Sequence, residues 1–173
     1  TVRKLITEWA PKIGIKELTL YTFSIQNFGR EKSEVEYLME LFKDFFAKIL
    51  ESELAQKNIK IEFIGRRYLF SRNIQQIMQQ LESKTASNTG LLVRFAMAYG
   101  GREEIVDAVN KIISKKVKEI NKNIETTAMN NTFPNHTYQL NHTTPLNITK
   151  ITMEELSECM YLNSEPDLII RTG

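Results

Sequence analysis

A chain of 173 residues, 42% of them hydrophobic, is long enough for one domain whose core buries roughly two thirds of the unfolded surface. Its 23 basic and 21 acidic side chains nearly cancel, so any anion site is local and no nucleic acid partner is expected. A single cysteine excludes an internal disulfide framework. No signal-peptide pattern and no run of about 18 apolar residues occurs, so the expectation is a cytoplasmic protein.

Val2, Leu5, Ile6, Trp9 and Ile13 recur at helical spacing, and Gly14 follows as a stop signal. The apolar run at 18–22 predicts a strand over 17–23. From 32 to 57 two apolar ridges run side by side: Val35, Leu38, Phe42, Phe45 and Ile49, then Met39, Phe46, Leu50 and Leu54. They predict a long helix that buries two faces and ends at Asn58. Residues 59–64 alternate apolar and polar before Gly65, as a strand does. A helix over 71–85, the turn Ser87-Asn88-Thr89-Gly90, a strand over 91–98 and a helix over 102–120 follow.

Residues 121–149 are rich in Asn and Thr and lack a sustained apolar period, which predicts an irregular insertion. Its Asn-x-Thr triplets follow from composition, and His136 and His142 have no partners at a recognised metal spacing. Thr152 and Glu155 form a capping box for a helix to about Asn163, on which Cys159 reads as a small buried hydrophobe. Pro166 resets the chain for a strand over 167–170. Strands alternating with helices predict a single α/β domain with a mostly parallel central sheet flanked by helices.

Three predicted strands end in arginine with small or polar residues. Phe23-Ser24-Ile25-Gln26-Asn27-Phe28-Gly29-Arg30 follows the first, Tyr99-Gly100-Gly101-Arg102 the third, and Arg171-Thr172-Gly173 the last. Open α/β sheets bind ligands at the carboxyl ends of their strands. A diphosphate needs several donors converging from separate loops, and Arg30, Arg102 and Arg171 are suited to that. Each also has an acidic neighbour, Glu31, Glu103 or Asp167, so spacing alone leaves salt bridges and a diphosphate site both open. Arg102 opens a helix, where its charge opposes the macrodipole and calls for a partner or ligand.

The segment from Phe23 to Arg30 resembles the F-S-x-E-N-[WF]-x-R pattern of the cis-prenyltransferases, the undecaprenyl diphosphate synthase family. Glu34 continues the resemblance, as do Asn88-Thr89-Gly90-Leu91, Tyr99-Gly100-Gly101-Arg102 and Arg171-Thr172-Gly173. Gln26 stands where the family has glutamate, and Ala98 where it usually has asparagine. The resemblance covers about 1–120 and 150–173 and implies an undecaprenyl diphosphate synthase-like domain truncated at both ends. It implies a transferase that elongates an allylic diphosphate by Z-condensation with isopentenyl diphosphate to a polyprenyl diphosphate, a lipid-carrier precursor.

In that reading Asn27 and Ser24 are catalytic. Ser24, Ile25, Gln26, Phe28, Arg30 and Arg171 bind substrate, and Thr22, Leu38, Phe42, Leu91 and Met97 line a hydrophobic tunnel whose bulky mouth shortens the product. Mg²⁺ is implied as cofactor, held by the aspartate of D-G-N-x-R-W-A. That pattern does not occur in these residues, so no metal ligand is expected in this chain, and the chain alone is expected to be inactive. A homodimer with peripheral membrane contact for lipid release is also implied. The rival reading is a non-catalytic partner subunit of a two-component prenyltransferase.

Overall fold

In a computed structural model, which describes residues 2–51, 57–130 and 150–170 and leaves out the side chains of 123–130, Pro11 shapes the opening helix. Proline has no N–H to give the carbonyl of Thr7 and its ring would crowd it. The helix widens accordingly: Val2–Lys4 (α1) and Ala10–Lys12 (α2) flank a π-helical turn, Leu5–Trp9, in which the Ala10 N–H reaches the Leu5 carbonyl. Gly14, at φ +81°, then stops it as predicted. Its N–H donates to the Pro11 carbonyl and that of Ile15 to the Ala10 carbonyl, which together make a Schellman cap.

The strands are Glu17–Ser24 (β1), Lys60–Ile64 (β2) and Leu92–Tyr99 (β3), paired in the order β1-β3-β2 with both pairs parallel. Helix Lys32–Glu51 (α3) leads from β1 to β2, and Arg72–Thr85 (α4) from β2 to β3. This is the predicted α/β architecture. Met97, Phe95 and Val93 of β3, Ile61 and Phe63 of β2 and Phe23 of β1 form one core cluster with α3 and α4. Each such side chain contributes about 1.5–3 kcal/mol of burial.

On α3 the buried seam is Phe42, Phe46 and Ile49, which draws on both predicted ridges. Leu38, Met39, Phe45 and Leu50 are half-buried beside it, so two ridges do pack against the core. Leu54 lies outside the described residues.

The outer edge of β2 is closed by α4. The Ile61 N–H donates to Thr85 Oγ1 (3.1 Å), whose hydroxyl donates to the Leu81 carbonyl (2.8 Å). The Phe63 N–H donates to Glu82 Oε1 (2.9 Å), and Arg67 holds both oxygens of Glu82 at 2.8 Å. An edge strand thereby loses its open hydrogen-bonding sites.

The chain divides into two compact units, Thr1–Gly101 and Arg102–Gly173. In the second, Gly101–Asn130 (α5) and Met153–Cys159 (α6) bury Ala108, Ile112 and Cys159 together. The Tyr161 N–H donates to Glu104 Oε1 (2.7 Å) and its hydroxyl to Asp107 Oδ2 (2.6 Å). The capping box of Thr152 and Glu155 forms as expected.

Three expectations need correction here. Helix α5 runs to Asn130, so the irregular insertion does not begin at 121; Asn and Thr lower helix propensity by only a few tenths of a kcal/mol each, too little to stop a helix already under way. Helix α6 ends at Cys159 rather than Asn163. Residues 167–170 are not a strand, because the described strands pair only among themselves and Leu168, Ile169 and Ile170 are exposed. Residues 131–149, with both histidines, lie outside the described residues. Among those described, no helix is long and apolar enough to cross a membrane.

Gly65 follows β2 at φ +101°, and a Cβ there would stand 2.2 Å from the Met97 carbonyl oxygen. Gly65→Ala should therefore cost about 2–4 kcal/mol, combining backbone strain with displacement of β3, as read by urea unfolding.

Across the sheet, Arg94 of β3 bridges Glu17 of β1 (2.5 Å) and Glu62 of β2 (3.0 Å), and Lys60 adds a second cation to Glu62 (2.8 Å). Partial burial alone would raise the Glu62 carboxyl, but hydrogen bonds from Lys60 and Arg94 outweigh it and hold the group below the usual carboxylate range. A depressed folded-state value contributes stability above the unfolded value, about 4.3, that is lost as pH falls through the folded one. Glu62→Gln should thus destabilise at pH 7 and match the wild type in strong acid, measured by chemical unfolding across that range.

Candidate functional site

Strand β1 does not run straight into its end. Its register with β3 slips twice: Tyr21 pairs with Ala96, Phe23 with Met97 and Ser24 with Tyr99, leaving Thr22 and Ala98 as extra residues. The first slip brings Phe23 onto the core face, and the second sets Ser24 level with the end of β3. Ala98 takes up its slip at φ +49° and is fully buried. The Tyr21 hydroxyl donates to the Tyr99 carbonyl at 3.3 Å, tying the two strand ends together.

A short 3₁₀ turn, Ile25–Gly29, follows Ser24. The Ser24 N–H and the Ser24 hydroxyl both donate to Asn27 Oδ1, at 2.7 and 2.9 Å. With both donors on its oxygen, the amide is fixed with Nδ2 turned outward, and Nδ2 has no partner among the described residues. Beneath this pair lies a ring triad, Phe23 with Phe28 at 4.9 Å and Phe70 at 5.8 Å, and Phe28 with Phe70 at 5.8 Å. Ile25 and Phe28 are half-buried against the core, whereas Gln26 is exposed.

Arg30 ends the turn, its N–H donating to the Asn27 carbonyl at 3.3 Å and its guanidinium to Glu34 one helical turn on. The acidic partner is Glu34 rather than the neighbouring Glu31, whose carbonyl instead receives the first N–H groups of α3. The i, i+4 spacing was present in the sequence and could have identified Glu34. Both side chains are nearly half exposed, so the pair holds Arg30 in place at little energetic cost to exchange.

The structure thus brings Ser24, Asn27, Phe28 and Arg30 together in the first unit. Arg102 is exposed at the start of α5 in the second unit and has no acidic partner among the described residues; Arg171 lies outside them. Of the expected tunnel residues, Phe42, Leu91 and Met97 are inside the core, and Leu38 is half-buried against it. Thr22 is half-buried at the bulge and donates its hydroxyl to the Leu20 carbonyl at 3.0 Å. Leu91 and Met97 stand about 20 Å apart along extended chain. The rings of Phe28 and Phe70, and the close approach of Gly65, complete this end of the sheet without any signal in sequence spacing.

A family model described as "Putative undecaprenyl diphosphate synthase" matches residues 1–173. A tritrans,polycis-undecaprenyl-diphosphate synthase of Pyrococcus horikoshii, geranylgeranyl-diphosphate specific, is 31% identical over 97% of this chain and 55% of its own length. A ditrans,polycis-undecaprenyl-diphosphate synthase of Micrococcus luteus, farnesyl-diphosphate specific, is 44% identical over 66% of this chain and 45% of its own. Among solved structures, lavandulyl diphosphate synthase from Lavandula x intermedia, in complex with dimethylallyl diphosphate, superposes with a TM-score of 0.67. It is 28% identical and covers 92% of this chain and 57% of that one. The chain spans about half the length of the curated relatives it matches. With the match running from end to end and the F-S-x-x-N-F-x-R turn folded at the head of α3, the chain belongs to the undecaprenyl diphosphate synthase family of cis-prenyltransferases.

Proposed function

We propose that the complete protein elongates an allylic prenyl diphosphate by Z-condensation with isopentenyl diphosphate. The observation that carries this reading is the locked Ser24–Asn27 pair beside Arg30 at the carboxyl end of β1. Arg30 exchanges an exposed carboxylate for a diphosphate, whose greater charge and paired oxygens suit a guanidinium better. Loss of the diphosphate from the allylic substrate needs that positive charge where it develops. Arg171 is proposed to hold isopentenyl diphosphate.

Asn27 presents Nδ2 as a donor, and Ser24, its proton committed to Asn27, presents the lone pairs of its hydroxyl. Together they orient isopentenyl diphosphate for attack and loss of its proton, with Ile25, Gln26 and Phe28 completing the contact. Gln26 does this without the charge of the family's glutamate. Thr22, Leu38, Phe42, Leu91 and Met97 are proposed to line the path of the growing chain.

Mg²⁺ is part of the proposal through the family alone. Among the described residues no three acidic, histidine or cysteine side chains gather as metal ligands, so these residues do not fit the ion and no step is assigned to it. A homodimer, a cytoplasmic location and contact with a membrane surface at product release belong to the same reading.

In the complete protein, Arg30→Ala should lower incorporation of labelled isopentenyl diphosphate by about ten- to a hundredfold, the loss of one charge-assisted contact. Arg67→Ala, which removes a cation bonded to Glu82, should change it little. Equal activity of Arg30→Ala and wild type would remove Arg30 from the site. Activity that appears only when a second prenyltransferase chain is added would reassign the protein to the non-catalytic subunit.

Asn27→Ala should depress kcat by about tenfold or more with a small change in KM, because its role develops as the proton leaves. Steady-state kinetics that show only a raised KM would make Asn27 a binding residue.

A further inference from the structure

Four phenylalanines close the interior partway down the sheet. Phe45 and Phe46 come from α3, Phe63 from β2 and Phe95 from the middle of β3. Phe46 touches Phe63 at 5.0 Å, Phe95 at 5.4 Å and Phe45 at 5.5 Å between ring centroids; Phe95 touches Phe63 at 5.5 Å and Phe45 at 6.2 Å. These are contact distances for aromatic rings, and an alkenyl chain does not pass between rings so placed. Phe46, Phe63 and Phe95 are buried, and Phe45 is half-buried beside them.

The quartet lies between the two ends of the expected tunnel. Met97 is on the Ser24 side of Phe95, and Leu91 is on the far side, at the beginning of β3. We propose that the Phe45–Phe46–Phe63–Phe95 quartet is the floor of the prenyl site and sets product length, so that Leu91 lies beyond the reach of the chain. The proposal rests on the prenyl-transfer reading above and fixes its product class.

Tyr99, which pairs with Ser24, is four residues from Phe95, so the space above the floor is about 13 Å deep at the rise of an extended strand. An isoprene unit adds four bonds of about 1.5 Å, and such a depth takes about two to three units. The site is therefore built for products of roughly farnesyl length, well short of an undecaprenyl chain.

Binding to the complete protein tests this without turnover. The probes are dimethylallyl, geranyl, farnesyl, geranylgeranyl and heptaprenyl diphosphates in calorimetric titrations, without isopentenyl diphosphate. Affinity should rise by at least about tenfold per added unit while the chain is being buried, then level off after farnesyl. In Phe45→Ala, and in Phe95→Leu, which keeps more of the core volume, the break should move to a longer chain. Affinity that continues to climb to heptaprenyl in the wild type would overturn the floor, as would an unmoved break in both variants when circular dichroism shows them folded. Turnover with isopentenyl diphosphate is measured separately, so failure of the reaction reading and failure of the floor are told apart.

Discussion

The burial of Phe23 is the constraint on which this end of the sheet depends. The extra residue at Thr22 brings its ring to the core face, where it meets Phe28, Phe42 and Phe70 at 4.9, 5.6 and 5.8 Å. Each such aromatic pair contributes about 0.5–1.5 kcal/mol beyond burial. Phe23 before the turn and Phe28 within it pin both sides of the Ser24–Asn27 pair. A polar constellation mounted on a close-packed apolar base keeps its geometry better than one carried by a free loop.

The same register change has a cost at Ala98. Left-handed backbone penalises a residue with a Cβ by about 1–2 kcal/mol, and after glycine it is best tolerated by asparagine. The family usually places asparagine there, whereas this chain keeps the kink with alanine. Gly65 makes room alongside, its missing Cβ leaving space for the Met97 carbonyl, while the Arg66 N–H takes the Ala98 carbonyl at 3.2 Å. Strain on one strand and a close approach on its neighbour are thus parts of one joint.

Much of the fold was legible because periodicity reports burial directly. The alternation of 59–64 and the three- and four-residue steps of 35–50 each became the expected element, and Gly14 and the Thr152–Glu155 box acted as punctuation. Ser24, Asn27 and Arg30 were marked as a group by the family pattern, but which atom of Asn27 faces outward was not, since that follows from two hydrogen bonds made only in the folded turn. The tenth of α5 that sequence composition assigned to a loop shows local propensity yielding to helix propagation. At 167–170 the apolar run was real, but a strand needs a neighbour as well as hydrophobicity. Nor does any spacing say that Phe45, Phe46, Phe63 and Phe95, drawn from three elements, meet at one depth.

Thr85 and Glu82 give the sheet a direction of growth. With the β2 side capped by side chains of its own helix, hydrogen-bonding capacity remains on the far side of β1, where among the described residues no strand is paired. Any additional strand must therefore join next to the strand that carries Ser24, lengthening the row of strand ends beside the turn. Accretion at one border only also denies the molecule a two-sided template, so copies of this sheet cannot stack edge to edge into an open-ended ribbon.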